Sequence, residues 1–150
     1  MNKNHVHIWS FEQNEFFKNN IIGKTVIDIK TDNYEYISFL FNDGSAVQMY
    51  HSQDCCELVT IDDICGDLED LIGTPILTAE LRTNSNDNPK NKDADNSFTW
   101  SFYTFRTVKG TVDIRWYGTS NGYYSEDVDI EYHPSDIIYN NWQKDFFNKY

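Results

Sequence analysis

The sequence predicts an α+β fold: a mostly antiparallel, twisted sheet of about six to seven strands, with a central helix packed on it and a helix at each end. Three observations carry this prediction. Most apolar stretches alternate with period two and are rich in β-branched or aromatic residues, as half-buried strands require. They follow one another across short turns rich in Gly, Asn and Asp, which favours hairpins. Between them lies one stretch, residues 60–72, whose apolar positions recur at helical spacing. At 150 residues the chain has the size of one ordinary domain.

In chain order, residues 10–22 read as the first helix. Ser10 stands at the N-cap with Gln13 completing a capping box, Phe17 and Ile21 lie one turn apart, and Gly23 suits the stop. Residues 25–30 read as a strand. Residues 34–41 and 45–51 read as a hairpin whose turn, Asn42-Asp43-Gly44, suits a type I turn followed by a Gly bulge. That turn pairs odd positions with odd, so Ile37, Phe39 and Phe41 share a face with Val47 and Met49. The central helix follows, with Thr60 as N-cap, Asp63 in its capping box, a stripe of Ile61, Ile64, Leu68, Leu71 and Ile72, and a stop at Gly73 and Pro75. Gly66 inside it points to close packing.

Residues 76–82 alternate, placing Leu77, Ala79 and Leu81 inward. Residues 84–97 carry no apolar side chain but Ala94 and read as a mobile loop. Residues 98–107 are aromatic on both faces, as a central strand would be. Lys109-Gly110 turns the chain into a strand over 111–117, and Gly118–Gly122 turns it into another over 123–132. Ser135 caps a last helix with Ile138, Trp142 and Phe146 on one stripe.

The formal charge is −12, and residues 51–100 alone contribute −8. Such a chain repels nucleic acid and free phosphates and attracts basic partners or cations. No apolar run approaches the ~18 residues that cross a bilayer, and residues 1–10 have no apolar core of a signal peptide, so a cytoplasmic protein without membrane association is expected. The three cysteines are then expected as thiols. Cys55 and Cys56 are neighbours, and a bond between them would be strained.

Four constellations bear on function. His51, Cys55, Cys56 and Cys65 are metal-ligand types, but their spacing is that of no zinc finger, and no metal or other cofactor is expected. Use of Cys55 or Cys56 as a nucleophile is opposed by Asp54, Glu57, Asp62 and Asp63, because carboxylates raise a thiol pKa. Second, Asp62, Asp63, Asp67, Glu69 and Asp70 lie on the predicted helix with no base among them. Glu69 and Asp70 fall in its last turn, against the helix dipole. Third, Ser125, Asp127, Asp129 and Glu131 alternate along the last strand and share one wet face, which can join the helix acids in one negative surface. Fourth, Trp116, Tyr117, Tyr123 and Tyr124 flank a turn containing Ser120 and Asn121, a stacking platform for a base or sugar if it is more than a hairpin. The chain has no P-loop, GxSxG, HExxH, Rossmann fingerprint or Cys-x2-Cys pair, and no catalytic residue is expected.

The strings HSQDCCE (residues 51–57), DICGDLEDLIG (63–73), SFTWSFY (97–103) and RWYGTSNGYYS (115–125) resemble a family of small uncharacterised phage, prophage and bacterial proteins, a domain of unknown function. The resemblance spans roughly residues 23–132 and brings no catalytic residue with it. Its phage setting implies an accessory role such as countering host defence. The leading expectation is therefore an anti-CRISPR or similar inhibitor, offering Asp62, Asp63, Asp67, Glu69, Asp70, Asp127, Asp129 and Glu131 to the basic nucleic-acid groove of a host CRISPR effector or defence nuclease. The alternatives are a nucleotide-binding protein or sponge built on Trp116, Tyr117, Ser120, Asn121, Tyr123 and Tyr124, and a Cys/His metal or thiol enzyme.

Overall fold

The structure, a computed structural model, describes residues 5–85, 97–134 and 142. Among these residues nine strands occur: β1 (Val6–Ile8), β2 (Val26–Thr31), β3 (Ile37–Phe41), β4 (Ala46–Tyr50), β5 (Leu58–Cys65), β6 (Thr78–Asn84), β7 (Ser97–Thr107), β8 (Gly110–Ser120) and β9 (Asp129–His133). They form two sheets, with orders β1-β9-β4-β3-β2 and β5-β8-β7-β6. Every pairing of neighbouring strands within the sheets is antiparallel. The expected single sheet is thus two sheets burying one core between them. Ile37, Phe39, Val47, Met49 and Ile130 of the first meet Ile61, Tyr103, Phe105, Ile114 and Trp116 of the second in one apolar cluster. The Phe39 and Phe105 rings, one from each sheet, have centroids 5.3 Å apart.

Period-two patterning decides which side chains enter that cluster. Along β8, Val112, Ile114 and Trp116 are buried, while Asp113, Arg115 and Tyr117 point the other way. The β3–β4 hairpin has the expected register, Ile37 opposite Met49 and Phe39 opposite Val47. Gly44 turns it at φ +88°, and its N–H donates to Phe41 O at 3.0 Å.

The predicted helix over residues 60–72 is absent. Its first half is strand β5 and its second a short 3-10 turn, Leu68–Leu71. The reason lies in a bulge. The β5–β8 register slips between Ile61 and Asp63, leaving Asp62 as an extra residue. Ile61 and Ile64 therefore both face the core although three residues apart, a spacing that imitates a helix. Leu68 and Leu71 repeat it because a 3-10 turn has three residues per turn. Gly66 joins the two pieces at φ +113°, and a Cβ there would lie 2.5 Å from Thr111 O. No Thr60 cap forms; Asp67 caps the 3-10 turn by accepting the Glu69 N–H at 3.0 Å.

The first helix is broken into a 3-10 turn (Ser10–Glu12), one turn of α-helix, α1 (Gln13–Phe16), and a π turn (Phe17–Ile21). Its buried stripe is Phe16, Phe17 and Ile21. Neither expected cap residue caps it. Ser10 Oγ donates to Asp127 Oδ2 at 2.9 Å. Gln13 is buried, and its amide donates to Val128 O at 2.9 Å while accepting from Tyr103 OH. Asn14 holds edge strand β6, donating to Leu81 O at 3.0 Å and accepting from Leu81 N–H at 2.7 Å.

Two strand boundaries also differ. Leu77 precedes β6 and is half-exposed rather than inward. Strand β8 runs through Gly118 to Ser120, so residues 118–120 are not a turn; the chain turns over 121–128, and no strand begins at Tyr123. The expected loop over 84–97 falls largely outside the described residues, but its ends, Asn84 and Ser97, are strand residues. The terminal helix from Ser135 also lies outside them, except Trp142. That residue is buried with Leu40 and Ala46 on the first sheet's outer side, its indole N–H donating to Asp28 Oδ2 at 2.7 Å.

Candidate functional site

Two loops, residues 51–57 and 121–128, meet at one end of the two sheets, and each is built around a buried carboxylate. Glu57 anchors the first. Its Oε1 accepts from Cys55 N–H at 3.0 Å, and its Oε2 accepts from Asp54 N–H at 2.8 Å. His51 Nε2 lies 2.7 Å from the same Oε2. Burial pushes the Glu57 carboxyl up, but the His51 contact and the backbone N–H groups outweigh it and hold the group at about 2. The other ring nitrogen of His51 lies 2.8 Å from Asp127 O, ligating the two loops. A carbonyl only accepts, so Nδ1 donates to Asp127 O and Nε2 faces the Glu57 carboxylate.

Glu126 anchors the second loop, accepting from Thr99 Oγ at 2.8 Å and from Ser120 Oγ at 2.6 Å. Gly118 makes room for it: a Cβ there would lie 2.5 Å from Glu126 O. Asn121 Oδ1 accepts from Tyr123 N–H at 3.0 Å, closing the small turn that carries Tyr123 and Tyr124.

Between this end and the first helical turns lies a cleft of about 360 Å³. Its wall is polar: Ser10, Asn14, Thr83, Ser85, Thr99 and Asp127, with Leu81 beneath and the Phe11 ring, 85% exposed, at its rim. No Lys, Arg or His is among these lining residues. Asp127 belongs to both features, since its carbonyl binds His51 and its carboxylate faces the cleft. It also raises the Tyr103 hydroxyl, which burial already pushes well above its ordinary value.

The expected site residues are distributed differently. Asp129 and Glu131 point outward from the first sheet, opposite in sense to core residue Ile130. Asp62 and Asp63 lie on the outer side of the second sheet, where Arg115 reaches Asp62 at 2.7 Å and Asp63 at 3.9 Å. The two acidic groups therefore face away from each other across the core. Nor is the β9 ladder bare. His7 lies 2.9 Å from Asp129 and His5 3.3 Å from Glu131, and Ser52 N–H donates to Asp129 at 2.8 Å. Burial raises the Glu131 carboxyl, and His5 and His7 oppose that rise. Asp67, Glu69 and Asp70 sit in and before the first turn of the 3-10 turn, so the unfavourable placement at a helix C-terminus does not arise.

Of the aromatic candidates, Trp116 is wholly buried in the core and unavailable for stacking. Tyr117 lies on the second sheet's outer side against Trp100, ring centroids 4.5 Å apart. Ser120 is buried on Glu126, and Tyr123 and Tyr124 pack edge to face at 5.4 Å. The metal candidates are not brought together either. Cys55 and Cys56 are joined in a disulfide, correcting the expectation of thiols, and Cys65 is an exposed free thiol on β5. Among the described residues no group of three or more His, Cys, Asp or Glu is placed to hold a metal ion. No helix there is long and apolar enough to cross a membrane.

The cleft residues were not visible as a site in the sequence, because positions 10, 14, 83, 99 and 127 meet only through the tertiary fold. Glu57 and Glu126 carry no spacing signal. The nearest hint was Glu57 at the end of HSQDCCE, where it reads as one more surface acid.

No curated protein and no solved structure matches the chain. One family model does, a domain of unknown function (DUF7448), over residues 19–130, which takes in β2 to the first half of β9 and both anchored loops. That match covers well over half of the chain, which therefore belongs to the DUF7448 family.

Proposed function

We propose that the chain is a binding domain for a small, uncharged, hydroxyl-rich molecule, of the nucleoside or sugar class, held in the cleft beside Asp127. The chemistry of the cleft wall carries this reading. Hydroxyl and amide groups with one carboxylate suit a ligand that both donates and accepts hydrogen bonds. The Phe11 ring at the rim offers a face on which a sugar or base can stack. The volume, about 360 Å³, is that of a small-ligand site. A wall with a carboxylate and no cation, in a chain of charge −12, favours a neutral molecule over a nucleotide.

An inhibitor of host defence acting as an acidic decoy receives less support. Mimicry of a nucleic-acid backbone needs its carboxylates on one surface, whereas here Asp129 and Glu131 face away from Asp62 and Asp63, and several of them are matched by His5, His7 and Arg115.

The test is a thermal-shift panel of neutral sugars, nucleosides and the corresponding nucleotides, each at millimolar concentration. A neutral member should raise Tm by a few degrees, about as expected for a ligand at several times its Kd. Its phosphorylated form should not, and the shift should vanish in Phe11→Ala and Thr99→Val. A flat panel, or a shift unchanged in both variants, rejects the reading.

A further inference from the structure

We propose that Cys55 and Cys56 form a reversible thiol–disulfide exchange site, and that its redox state reaches the cleft through the chain Cys55–Glu57–His51–Asp127. The second half rests on the reading of the cleft as a binding site; the first does not. The two cysteines are bonded to each other, and both are exposed. An external thiolate can reach them without unfolding the chain, the main requirement for exchange. Cys65 is exposed as well but stands outside the bond, so the molecule carries its own internal control.

The bonded pair does not sit on a slack loop. The Cys55 N–H donates to Glu57 Oε1, Glu57 Oε2 meets His51 Nε2 at 2.7 Å, and His51 Nδ1 meets Asp127 O at 2.8 Å. Asp127 lines the cleft. Gln53 adds a clamp by donating to Glu57 O. The disulfide closes a small ring around the Cys55–Cys56 peptide, and opening it returns conformational freedom to that peptide. The freed Cys55 amide then competes with water for Glu57, and the loop has two states, docked on the carboxylate or released from it.

The exchange partner is a dithiol reductant. One of its thiolates attacks a sulfur of the pair, forming a mixed disulfide and expelling the other cysteine as a thiolate, which takes up a proton. The reductant's second thiolate then attacks its own sulfur in the mixed disulfide, releasing the remaining cysteine thiolate, which is also protonated. Two electrons and two protons have passed to the protein, and the reductant leaves as its own disulfide.

The experiment uses the full chain with dithiothreitol as the probe. Alkylation by N-ethylmaleimide should mark Cys65 alone before reduction and all three cysteines after it. Three labels before reduction would overturn the exchange site. Amide hydrogen exchange at Asp54 and Cys55 should quicken about tenfold or more on reduction, with a smaller change at Val128 beside the Asp127 carbonyl. Exchange that is the same in both redox states would overturn the transmission. A Cys55→Ser/Cys56→Ser variant should exchange like the reduced protein and ignore dithiothreitol. Should that variant not fold, the oxidised and reduced forms of the unmodified chain still decide the matter. Neither readout involves a cleft ligand, so failure here is distinct from failure of the binding panel.

Discussion

His51 and Glu57 form a buried hydrogen-bonded pair in which Nε2 lies 2.7 Å from Oε2, with side chains only 3% and 1% exposed. Six residues apart in sequence, they close the loop between them as a clasp, and the remaining Glu57 acceptor positions go to the loop's own backbone. A charge this well enclosed is retained only because every partner is present.

Glu57→Gln should therefore destabilise the fold by on the order of 1–3 kcal/mol, the cost of unpairing a buried hydrogen-bonded group. Urea unfolding of the variant beside the parent measures this. A midpoint indistinguishable from the parent would mean that the pair does not hold the loop.

Acid should act in two windows. His133 is held down at about 4 by burial first and by His5 second, while its ring lies 2.9 Å from Gln48 Oε1. A depressed histidine binds its proton more readily in the unfolded chain, so stability is full above pH ~6.5 and declines as pH falls toward 4. Solvent screening of a partly exposed group trims this to about 1–2 kcal/mol. Glu57, at about 2 in the fold, contributes stability above the ordinary carboxylate pKa that is lost between pH ~4.5 and 2. Melting temperatures across pH 3–8 test both windows. His133→Asn should flatten the upper one, and an equal slope in that variant would assign it elsewhere.

Gly118→Ala should be costly for a steric reason. The added methyl would lie 2.5 Å from Glu126 O and 3.0 Å from Glu126 Cβ, and neither can swing away as a flexible side-chain tip would. A loss of about 2–3 kcal/mol is expected, with the 121–128 loop displaced. Gly23→Ala isolates the other cost of replacing a glycine, since nothing lies within 4 Å of its Cβ position and only its φ of +99° is strained by a side chain. A Gly118→Ala loss under ~1 kcal/mol would show that the close approach of loop and strand is wrong.

Trp142→Ala should remove the cover from Leu40 and Ala46 and leave Asp28 without its indole donor. Loss of a wholly buried indole costs about 3–5 kcal/mol. Chemical denaturation gives the value, and a loss under ~1 kcal/mol would show that Trp142 does not seal that side of the first sheet.

The hairpin from Ile37 to Met49 was legible because two independent signals agree there: the Asn42-Asp43-Gly44 turn fixes an odd-to-odd register, and the apolar alternation demands the same one. Residues 60–72 misled because of a single inserted residue. With Asp62 bulged out, the core-facing positions of β5 fall three apart, and the 3-10 turn after Gly66 continues that spacing. The clue was Gly66 itself, an interior glycine better explained by a chain reversal against Thr111 than by a helix. Gly118 hid a strand for the same reason, since it serves a close approach rather than a turn. The Asp129–Glu131 ladder was placed correctly on one face by its alternation, but the histidines that face it come from 122 to 126 residues away, beyond the reach of local patterning.

Asn14 has a consequence for how the molecule meets its own copies. Its side-chain amide both gives to and takes from Leu81 on β6, an outermost strand of the second sheet, and so imitates the peptide group of a neighbouring strand. On the opposite rim of that sheet, Ile61 N–H is taken by Tyr34 O at 2.7 Å, just beside the Asp62 bulge. Each margin is thus interrupted near its middle by an internal surrogate, which denies another polypeptide the unbroken row of amides that fibrous stacking requires.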